Sequence, residues 1–460
     1  MSHDRDVNRE PWAAGPRRGT GARAALVLAV ALVPCGPATG GEALKLTADA
    51  VAERAVAVSN VARAATARAE AARGSLAAAE AARLPSVTVA AALTRRSSVP
   101  EYAAPINGPL QPPVVLYPNI ETTHAAGVRA SEVLYSGGAV TAARDAARHE
   151  LGASTAEQAR SDADLRLTAR ATYWEAVRAR ASLDAAAADE ARAARLLADT
   201  RSLLEAGRAV RADVLAAEAR VANARVRSIQ AATRAADALA GLRSLVALAD
   251  TDAVEFADTL AGPLPDGPDG LASLRAEALA RRPELAALGA RLAAVEARET
   301  LARAATRPTL ALGAQWDLAR PNQRYFPQSD SWDDSWAVGV SASWTLFDGG
   351  RARADAATSQ ATGRALQAER AELERLVSLD VETAWRALRD ALATVEAADA
   401  ARTAADERER AAKERHDAGL AAMSEILDAE AELAAAEQQQ VGARASAWIA
   451  EARLARAVGM

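Results

Sequence analysis

The sequence predicts a mainly α-helical protein that carries a smaller β-sheet portion and consists of two tandem repeats. Three observations support this fold class. More than half of the hydrophobic residues are alanine, which has the highest intrinsic helix propensity. Proline, which breaks helix interiors, does not occur in 119–262 or in 328–460. Two shorter regions, about 84–136 and 307–348, alternate apolar and polar residues and hold most of the aromatic residues.

The first forty residues, 1–40, are predicted to be a secretory signal peptide. The apolar run AALVLAVALV (24–33) follows several arginines and precedes small residues, which is the order of a signal peptide. This run is too short for a mature transmembrane helix, which needs about twenty residues. The sole cysteine, Cys35, lies in this segment, so we expect neither a disulfide nor a cysteine-based metal site in the exported chain.

Each predicted repeat contains one long helical hairpin. Repeat 1 spans 41–270, and its helical hairpin covers about 139–248, with a break at Gly207. A helix over the 139–205 part would be about 100 Å long, which exceeds the size of a compact globular domain. Repeat 2 spans 271–460, and its helical hairpin covers about 350–457 around Gly419. Shorter helical pieces are predicted at 44–82 and 285–306.

Each repeat also supplies one predicted β-hairpin, at about 86–134 and about 309–347, in which the strands are joined by irregular loops. In the second hairpin, Trp336, Val338 and Val340 share one face, and the residues between them are small or polar. A half-buried strand or a lipid-facing barrel strand requires this period of two. Four strands cannot close a membrane barrel, since the smallest single-chain barrels have about eight. If these strands lie in a membrane, several chains must share one barrel.

The sequence repeats itself at an offset of 212 residues. The junctions between β-hairpin and long helix, LYSGG (134–138) and LFDGG (346–350), match at this offset. Such duplication indicates two copies of one supersecondary unit. Four further pairs match around the breaks in the long helices: Gly207 and Gly419, Val214 and Ile426, Leu215 and Leu427, and Glu218 and Glu430.

These features together resemble the TolC-like outer-membrane efflux proteins. The resemblance rests on their order and duplication, on Arg282-Pro283-Glu284-Leu285 at the opening of repeat 2, and on Ala418-Gly419-Leu420 followed by Glu425-Ile426-Leu427-Asp428-Ala429-Glu430. It implies a homotrimer with a barrel of twelve strands in the outer membrane and a tunnel of twelve helices through the periplasm. It also implies three other partners: a periplasmic adaptor protein, an inner-membrane pump and outer-membrane lipid.

The resemblance also implies roles for individual residues around the two helical breaks. From the residues alone, each glycine fits a helix C-cap and each carboxylate fits a favourable position near a helix N-terminus. The resemblance adds that carboxylates line the aperture, where three copies of each would form rings that favour cations. The implied aperture residues are Asp213, Glu425 and Asp428. The implied adaptor-contacting tips are Gly207, Val210, Gly419 and Leu420.

Two positions depart from the family's pattern at the second break. His416 stands where the family often has tyrosine, and Ala421 stands where some members have an arginine that stabilises the closed state of the gate. The hydrogen bonds that close the gate are therefore expected to differ in this chain.

Aromatic residues of the alternating regions fit two interpretations. They could be ordinary core residues, or they could form the girdle that amphipathic rings make at a membrane interface. We favour the girdle because the residues lie on or beside alternating strands. Glu132 belongs to the same face by parity, and its position close to the helix junction favours the membrane interface. The predicted girdle consists of Tyr135, Trp316, Trp336, Trp344 and Phe347.

The function expected from the sequence is passive transport. A net charge of −5 argues against a nucleic-acid partner. Nucleotide-binding, paired-histidine and nucleophile-elbow motifs do not occur, so we expect no enzymatic activity, no catalytic residues, no cofactor and no metal site. The resemblance favours a channel that conducts small toxic compounds. Two alternatives stay open: an exit duct for one-step protein secretion, and a periplasmic coiled-coil scaffold that does not conduct.

Overall fold

The computed structural model describes residues 44–106, 108, 110–268 and 270–460, so the predicted signal peptide and Cys35 lie outside it. The described chain is mainly α-helical and carries a four-stranded antiparallel sheet, which confirms the predicted fold class. Both repeats contribute to the sheet and to the long helices.

Eight α-helices occur in the described residues, and four of them form two long hairpins. They are α1 (Ala48–Val58), α2 (Asn60–Ala81), α3 (Ala139–Glu205), α4 (Arg211–Leu245), α5 (Leu271–Arg281), α6 (Pro283–Ala304), α7 (Arg351–Asp417) and α8 (Met423–Val458). Helices α3 and α7 have 67 residues each. At about 1.5 Å per residue, each is about 100 Å long. Among the described helices, none combines the length and the apolar character needed to cross a membrane.

Small side chains form the seams along which the long helices pack. On α3, for example, Ala186, Asp189, Ala193 and Leu196 are buried, at the alternating spacing of three and four residues that coiled coils use. Helix α3 packs on α4, and α7 packs on α8. Contacts between α3 and α8 then join the hairpin of one repeat to that of the other.

The described residues also form eight β-strands in three sheets. They are β1 (Leu44–Leu46), β2 (Ser86–Arg95), β3 (Tyr102–Ala104), β4 (Val114–Tyr117), β5 (Thr122–Tyr135), β6 (Val254–Phe256), β7 (Thr309–Arg320) and β8 (Asp333–Ser343). The main sheet has the order β2-β5-β7-β8, and all its neighbours are antiparallel. Because β5 pairs with β7, the hairpins of the two repeats form one sheet, and β2 and β8 are its edges.

The structure differs from the sequence prediction in three places. Helix α5 (Leu271–Arg281) lies outside the predicted helical segments. The segment predicted as an irregular loop between β2 and β5 contains a small hairpin, β3–β4. The predicted helical segment 44–82 begins with β1, which pairs in parallel with β6. These strands have three or four residues each, so alternation cannot reveal them, and β1 finds its partner some two hundred residues away in the chain.

The largest hydrophobic core lies where β1 and β6 meet α1, α3 and α8. Tyr173 is fully buried there and donates a hydrogen bond to the main-chain oxygen of Leu46 at 2.9 Å. The ring of Trp174 stacks on that of Trp448, with centroids 4.8 Å apart. Burial raises the pKa of Tyr173 above its ordinary value. This core joins the middle of α3 to the later part of α8.

The Arg-Pro-Glu-Leu motif joins the start of α6 to both helices of the second hairpin. Pro283 occupies the first turn of α6, where its missing N–H is not needed. The buried side chain of Arg282 donates to the oxygen of Ala457 in α8 at 2.7 Å and pairs with Asp380 of α7. The motif therefore has a structural role in this chain.

Candidate functional site

The turn between α3 and α4 is the first of two exposed helical tips. Gly207 has a φ of 70°, in the left-handed region that glycine adopts most readily. The N–H of Arg208 returns to the oxygen of Leu203 at 2.8 Å, which closes the end of α3. Asp213 accepts a hydrogen bond from the N–H of Val210 at 3.1 Å. The carboxylate of Asp213 thus caps the start of α4.

The turn between α7 and α8 has the same main-chain geometry but different side-chain contacts. Gly419 has a φ of 74°, and the N–H of Leu420 donates to the oxygen of Arg415 at 2.7 Å. Glu425, which is equivalent to Asp213 in the repeat, forms an ion pair with Arg415. It therefore links the end of α7 to the start of α8.

His416 and Ala421 contact each other at this second tip. Nδ1 of His416 lies 3.0 Å from the main-chain oxygen of Ala421, and in the tautomer that carries the proton there it donates a hydrogen bond. His416 therefore bonds within its own turn.

The predicted adaptor-contacting residues lie at the two turns, and two of them expose apolar side chains. Val210 is 61% exposed and Leu420 is 72% exposed. A binding partner could cover these exposed apolar side chains at the ends of the helices.

The predicted aperture residues lie at or just after the starts of α4 and α8. Asp428 is exposed one turn after Glu425 on α8. Among the described residues, no hydrogen bond or ion pair joins Asp213 to Glu425 or to Asp428. One chain does not bring these three carboxylates into one site, so a ring would need further copies of the chain. The described residues also contain no group of histidine, cysteine and carboxylate side chains that could hold a metal ion.

A cluster of buried charges lies behind the tips, where the two helical hairpins meet. Asp189 of α3 accepts hydrogen bonds from Arg220 of α4 at 3.2 Å and from Arg227 of α4 at 2.8 Å. Asp189 is only 3% exposed. Burial alone would raise the pKa of Asp189, but the hydrogen bonds from the two arginines outweigh burial and hold it below its ordinary value. Asp189 is therefore a satisfied buried carboxylate.

Glu430 of α8 is the second buried carboxylate of this cluster, and it has no such partners. It is 1% exposed, and neither of its oxygens receives a hydrogen bond from any described residue. The nearest cations are Nζ of Lys413 on α7 at 3.7 Å and Nε of Arg220 at 3.9 Å. Burial raises the pKa of Glu430 above its ordinary value, although the charges of Lys413 and Arg220 act in the opposite direction.

Sequence reasoning matched Glu430 to Glu218 but did not identify the buried cluster. The sequence signal for this cluster is a charged residue at a position of the helix seam, where buried residues recur every three or four positions. Glu430 falls between the buried residues Ile426 and Leu433 of α8 at intervals of four and three residues, where a coiled coil places apolar side chains. Arg220 likewise lies between the buried Ala217 and Ala224 of α4. A charge at a seam position is the pattern that would have revealed the cluster.

One face of the main sheet is apolar across all four strands. Residues directly opposite each other in neighbouring strands share a face. The pairing places Val89, Val128, Trp316 and Trp336 in one row across β2, β5, β7 and β8. Glu132 pairs with Leu312 on this same face, as its parity indicates. The opposite face carries polar side chains such as Arg129, Gln315 and Asp317.

The five predicted girdle residues fall into two groups along this sheet. Trp316 and Trp336 are exposed and lie towards the loops that join the strands. Tyr135, Trp344 and Phe347 are exposed near the junctions with α3 and α7. Nε1 of Trp344 donates to the main-chain oxygen of Thr306 at 3.0 Å, which holds its indole beside the end of α6.

The comparisons with known proteins agree with this architecture. The family described as outer membrane efflux protein matches residues 52–248 and 274–460. A membrane protein from Pseudomonas aeruginosa has a similar structure, with a TM-score of 0.73 and 22% identity over 89% of each chain. The outer membrane protein VceC from Vibrio cholerae has a TM-score of 0.72 and 20% identity over 90% of this chain and 96% of its own.

The Neisseria gonorrhoeae MtrE outer membrane channel, in its open state, has a TM-score of 0.69 and 20% identity over 90% of this chain and 88% of its own. At these identities, the structural likenesses show a shared fold. Among curated proteins, no sequence matches this chain.

Proposed function

The chain belongs to the outer membrane efflux protein family and is located in the outer membrane, and we propose that it is the channel of a tripartite efflux system. In this proposal, a homotrimer passively conducts small toxic compounds that an inner-membrane pump delivers through a periplasmic adaptor. The family is one of channels, and the energy for transport comes from the pump.

The observation that carries the proposal is the pair of free edges on the main sheet. Strands β2 and β8 each pair on one side only within the described chain. In a membrane, every main-chain polar group must find a partner, and only closed sheets achieve this with strands. Three chains joined edge to edge, β8 to β2, would close a barrel of twelve strands, an even number within the range of such barrels. The sheet therefore supports a homotrimer.

The positions of the aromatic residues fit a lipid bilayer. Trp336 and Trp344 are eight residues apart along β8 and the residue after it. Eight residues of strand extend about 27 Å, and a strand tilt of about 40° reduces this to a height of about 20 Å. The apolar band of an outer-membrane barrel is about 25 Å tall. The two aromatic groups would thus lie near the two interfaces with the outer-membrane lipid.

The long helices also leave apolar surface that a neighbouring chain could cover. Leu215, Val226 and Ile229 are exposed on α4, and Leu376 and Leu379 are exposed on α7. Three chains would supply twelve long helices for a tunnel about 100 Å deep. Copies of Asp213, Glu425 and Asp428 from three chains would then meet at the narrow end as carboxylate rings.

Cross-linking at the tips tests the proposed adaptor contact. We would place single cysteines at Val210 and at Leu420, both exposed at the tips, and a control cysteine at Ala357, which is exposed near the other end of α7. After cross-linking in living cells, we expect mass spectrometry to identify a periplasmic adaptor at both tip positions and not at the control. Capture of no adaptor, from a chain shown to be folded and exported, would contradict the tripartite assignment.

Gene deletion and conductance measurements test the cargo and the alternatives. Loss of the gene should increase susceptibility to toxic small compounds and leave the set of secreted proteins unchanged. Loss of one secreted protein with unchanged susceptibility would instead support the protein-secretion duct. The purified trimer should conduct ions in planar lipid bilayers, whereas a non-conducting scaffold would not.

A further inference from the structure

We propose that Glu430 is a release point for the channel tip: its buried carboxylate opposes the packing of α8 against the first helical hairpin, α3 and α4, and lowers the free energy needed to separate α8 from that hairpin when the tip opens. This inference rests on the proposed channel function. It assigns to Glu430 a positioning role at a distance from the aperture itself.

Burial of the Glu430 carboxylate has a cost in free energy. A buried charge loses its hydration, and a nearby cation compensates fully only when hydrogen bonds with good geometry satisfy both groups. The cations nearest to Glu430 stand at 3.7 and 3.9 Å, which is too far for a hydrogen bond. Arg220 is hydrogen-bonded to Asp189, and Lys413 is paired with Glu409. The packed state is therefore unfavourable for the Glu430 carboxylate.

Helix register does not require Glu430. A polar residue in a helix seam often fixes the register of its neighbours at a cost in stability. Hydrogen-bonded ion pairs already do this, with Asp189 and Arg220 between α3 and α4, and Arg192 and Glu437 between α3 and α8. Glu430 adds the cost of a dehydrated carboxylate and makes no hydrogen bond. A role in a conformational change therefore explains its burial better than a role in fixing the helix register.

Open space lies beside the buried cluster. A cavity of about 590 Å³ separates parts of α3, α4 and α8, and its lining includes Asp189, Arg220, Asn223 and Ala431. Ala431 directly follows Glu430 in α8. A movement of α8 away from α3 and α4 would widen this space and hydrate the Glu430 carboxylate, and the cost of its burial would be relieved.

The sign of the pH dependence follows from this geometry. The charged groups that face Glu430 are Lys413 and Glu409 on α7, Arg220 on α4, and Asp189 and Arg192 on α3. Burial raises the pKa of Glu430 in the packed state, whereas the hydrated carboxyl of the open state would have its ordinary pKa. Proton binding therefore favours the packed state. As the pH rises through the packed-state pKa, this stabilisation is lost and the open state is favoured.

The test compares E430Q with E218Q in the purified trimer. Glu218 is the repeat equivalent of Glu430, but it pairs with Arg201 at 2.7 Å in solvent, which makes it a matched control. We would measure single-channel conductance in planar bilayers between pH 5 and pH 8. E430Q should lower the open probability several-fold at the upper end of this range and weaken its rise with pH. E218Q should behave as the wild type does.

A second variant keeps the test independent of the hydrogen bonds that glutamine can make. E430L should change the open probability in the same direction as E430Q and leave the melting temperature unchanged or higher, because apolar side chains often replace buried charges without loss of stability.

An E430Q channel that opens as often as the wild type, or more often, would overturn the inference and leave the channel function intact. A wild-type protein that does not conduct at any pH would contradict the proposed function itself, and the inference with it.

Discussion

The tips of the two helical hairpins are built from equivalent residues but differ in what surrounds them. Both turn at a glycine with a φ of 70° or 74°, and both place a carboxylate at the third position of the second helix. Asp213 caps the main chain of its own helix, whereas Glu425 pairs with Arg415 across the turn. Farther from the tips, Glu218 pairs with Arg201 in solvent, but Glu430 is buried.

Equivalent positions in a duplicated chain thus acquire different chemistry from their neighbours. Helix α4 packs mainly on α3, whereas α8 packs on both α7 and α3. The same seam position therefore meets solvent in repeat 1 and the other helical hairpin in repeat 2. The predictions that follow test how far the two tips differ.

The largest loss of stability should come from replacing Arg220, which donates hydrogen bonds to Asp189 in the buried cluster. Arg220→Ala leaves Asp189 with one arginine fewer and removes one of the two cations near Glu430. We expect it to lower the free energy of unfolding by about 3 kcal/mol, the range found when a buried ion pair loses one partner. The control Arg201→Ala, at the exposed pair of repeat 1, should cost less than about 1 kcal/mol.

Chemical denaturation of the trimer in detergent, followed by circular dichroism, measures both Arg220→Ala and Arg201→Ala. Equal losses would mean that burial does not distinguish the two carboxylates.

Replacement of the tip glycines should lower stability by the same amount at both tips, because the two turns have the same main-chain geometry. Gly207→Ala and Gly419→Ala each force a side chain into the left-handed region, which costs about 1–2 kcal/mol. No neighbouring atom lies within 4 Å of the added carbon at either position, so the cost comes from the main chain alone.

Gly241→Ala is the matched control for the tip glycines. It lies in the interior of α4, also with open space around it, and should raise stability by about 0.5–1 kcal/mol. Melting temperatures of all three variants provide the comparison. A large difference between the two tip variants would contradict their equivalence.

A smaller effect should separate Asp213 from Glu425. Asp213→Ala removes the hydrogen bond to the N–H of Val210 and should cost about 1 kcal/mol. Glu425→Ala removes an exposed ion pair and should cost less than about 0.5 kcal/mol. Asp213→Asn keeps an oxygen that can accept the hydrogen bond, so it should restore most of the loss. If Asn fails to do so, the capping explanation is wrong.

The smallest effect is a difference in the slope of stability with pH. Asp189 has a lowered pKa, so its contribution is present above its ordinary pKa and is lost as the pH falls through the lowered value. Glu430 has a raised pKa, so its contribution is present below its ordinary pKa and is lost as the pH rises through the raised value.

Melting curves at several pH values measure this slope. Asp189→Asn should be less stable than the wild type near neutral pH, with the gap narrowing in acid. E430Q should be more stable than the wild type near neutral pH, again with the gap narrowing in acid. The same sign for both variants would contradict the contrast between the two carboxylates.

The sequence alone determined the features that depend on local pattern. Alanine-rich stretches without proline predicted the helices, period-two alternation predicted the apolar sheet face that carries Trp316 and Trp336, and glycine marked both tips. Each of these signals lies within a few consecutive residues, and the duplication presents it twice. The face of the sheet on which Glu132 lies could be predicted for the same reason.

Which segments meet depends on long-range packing that no local pattern reveals. The pairing of β5 with β7, the parallel pair of β1 and β6, and the packing of α8 on α3 join residues that are far apart in the chain. The burial of Glu430 depends on the last of these contacts, and the equivalent Glu218 stays in solvent without such a contact. Local periodicity indicates which secondary structure one segment prefers. The pKa of a carboxylate depends instead on its burial and on the charges near it, which distant segments supply.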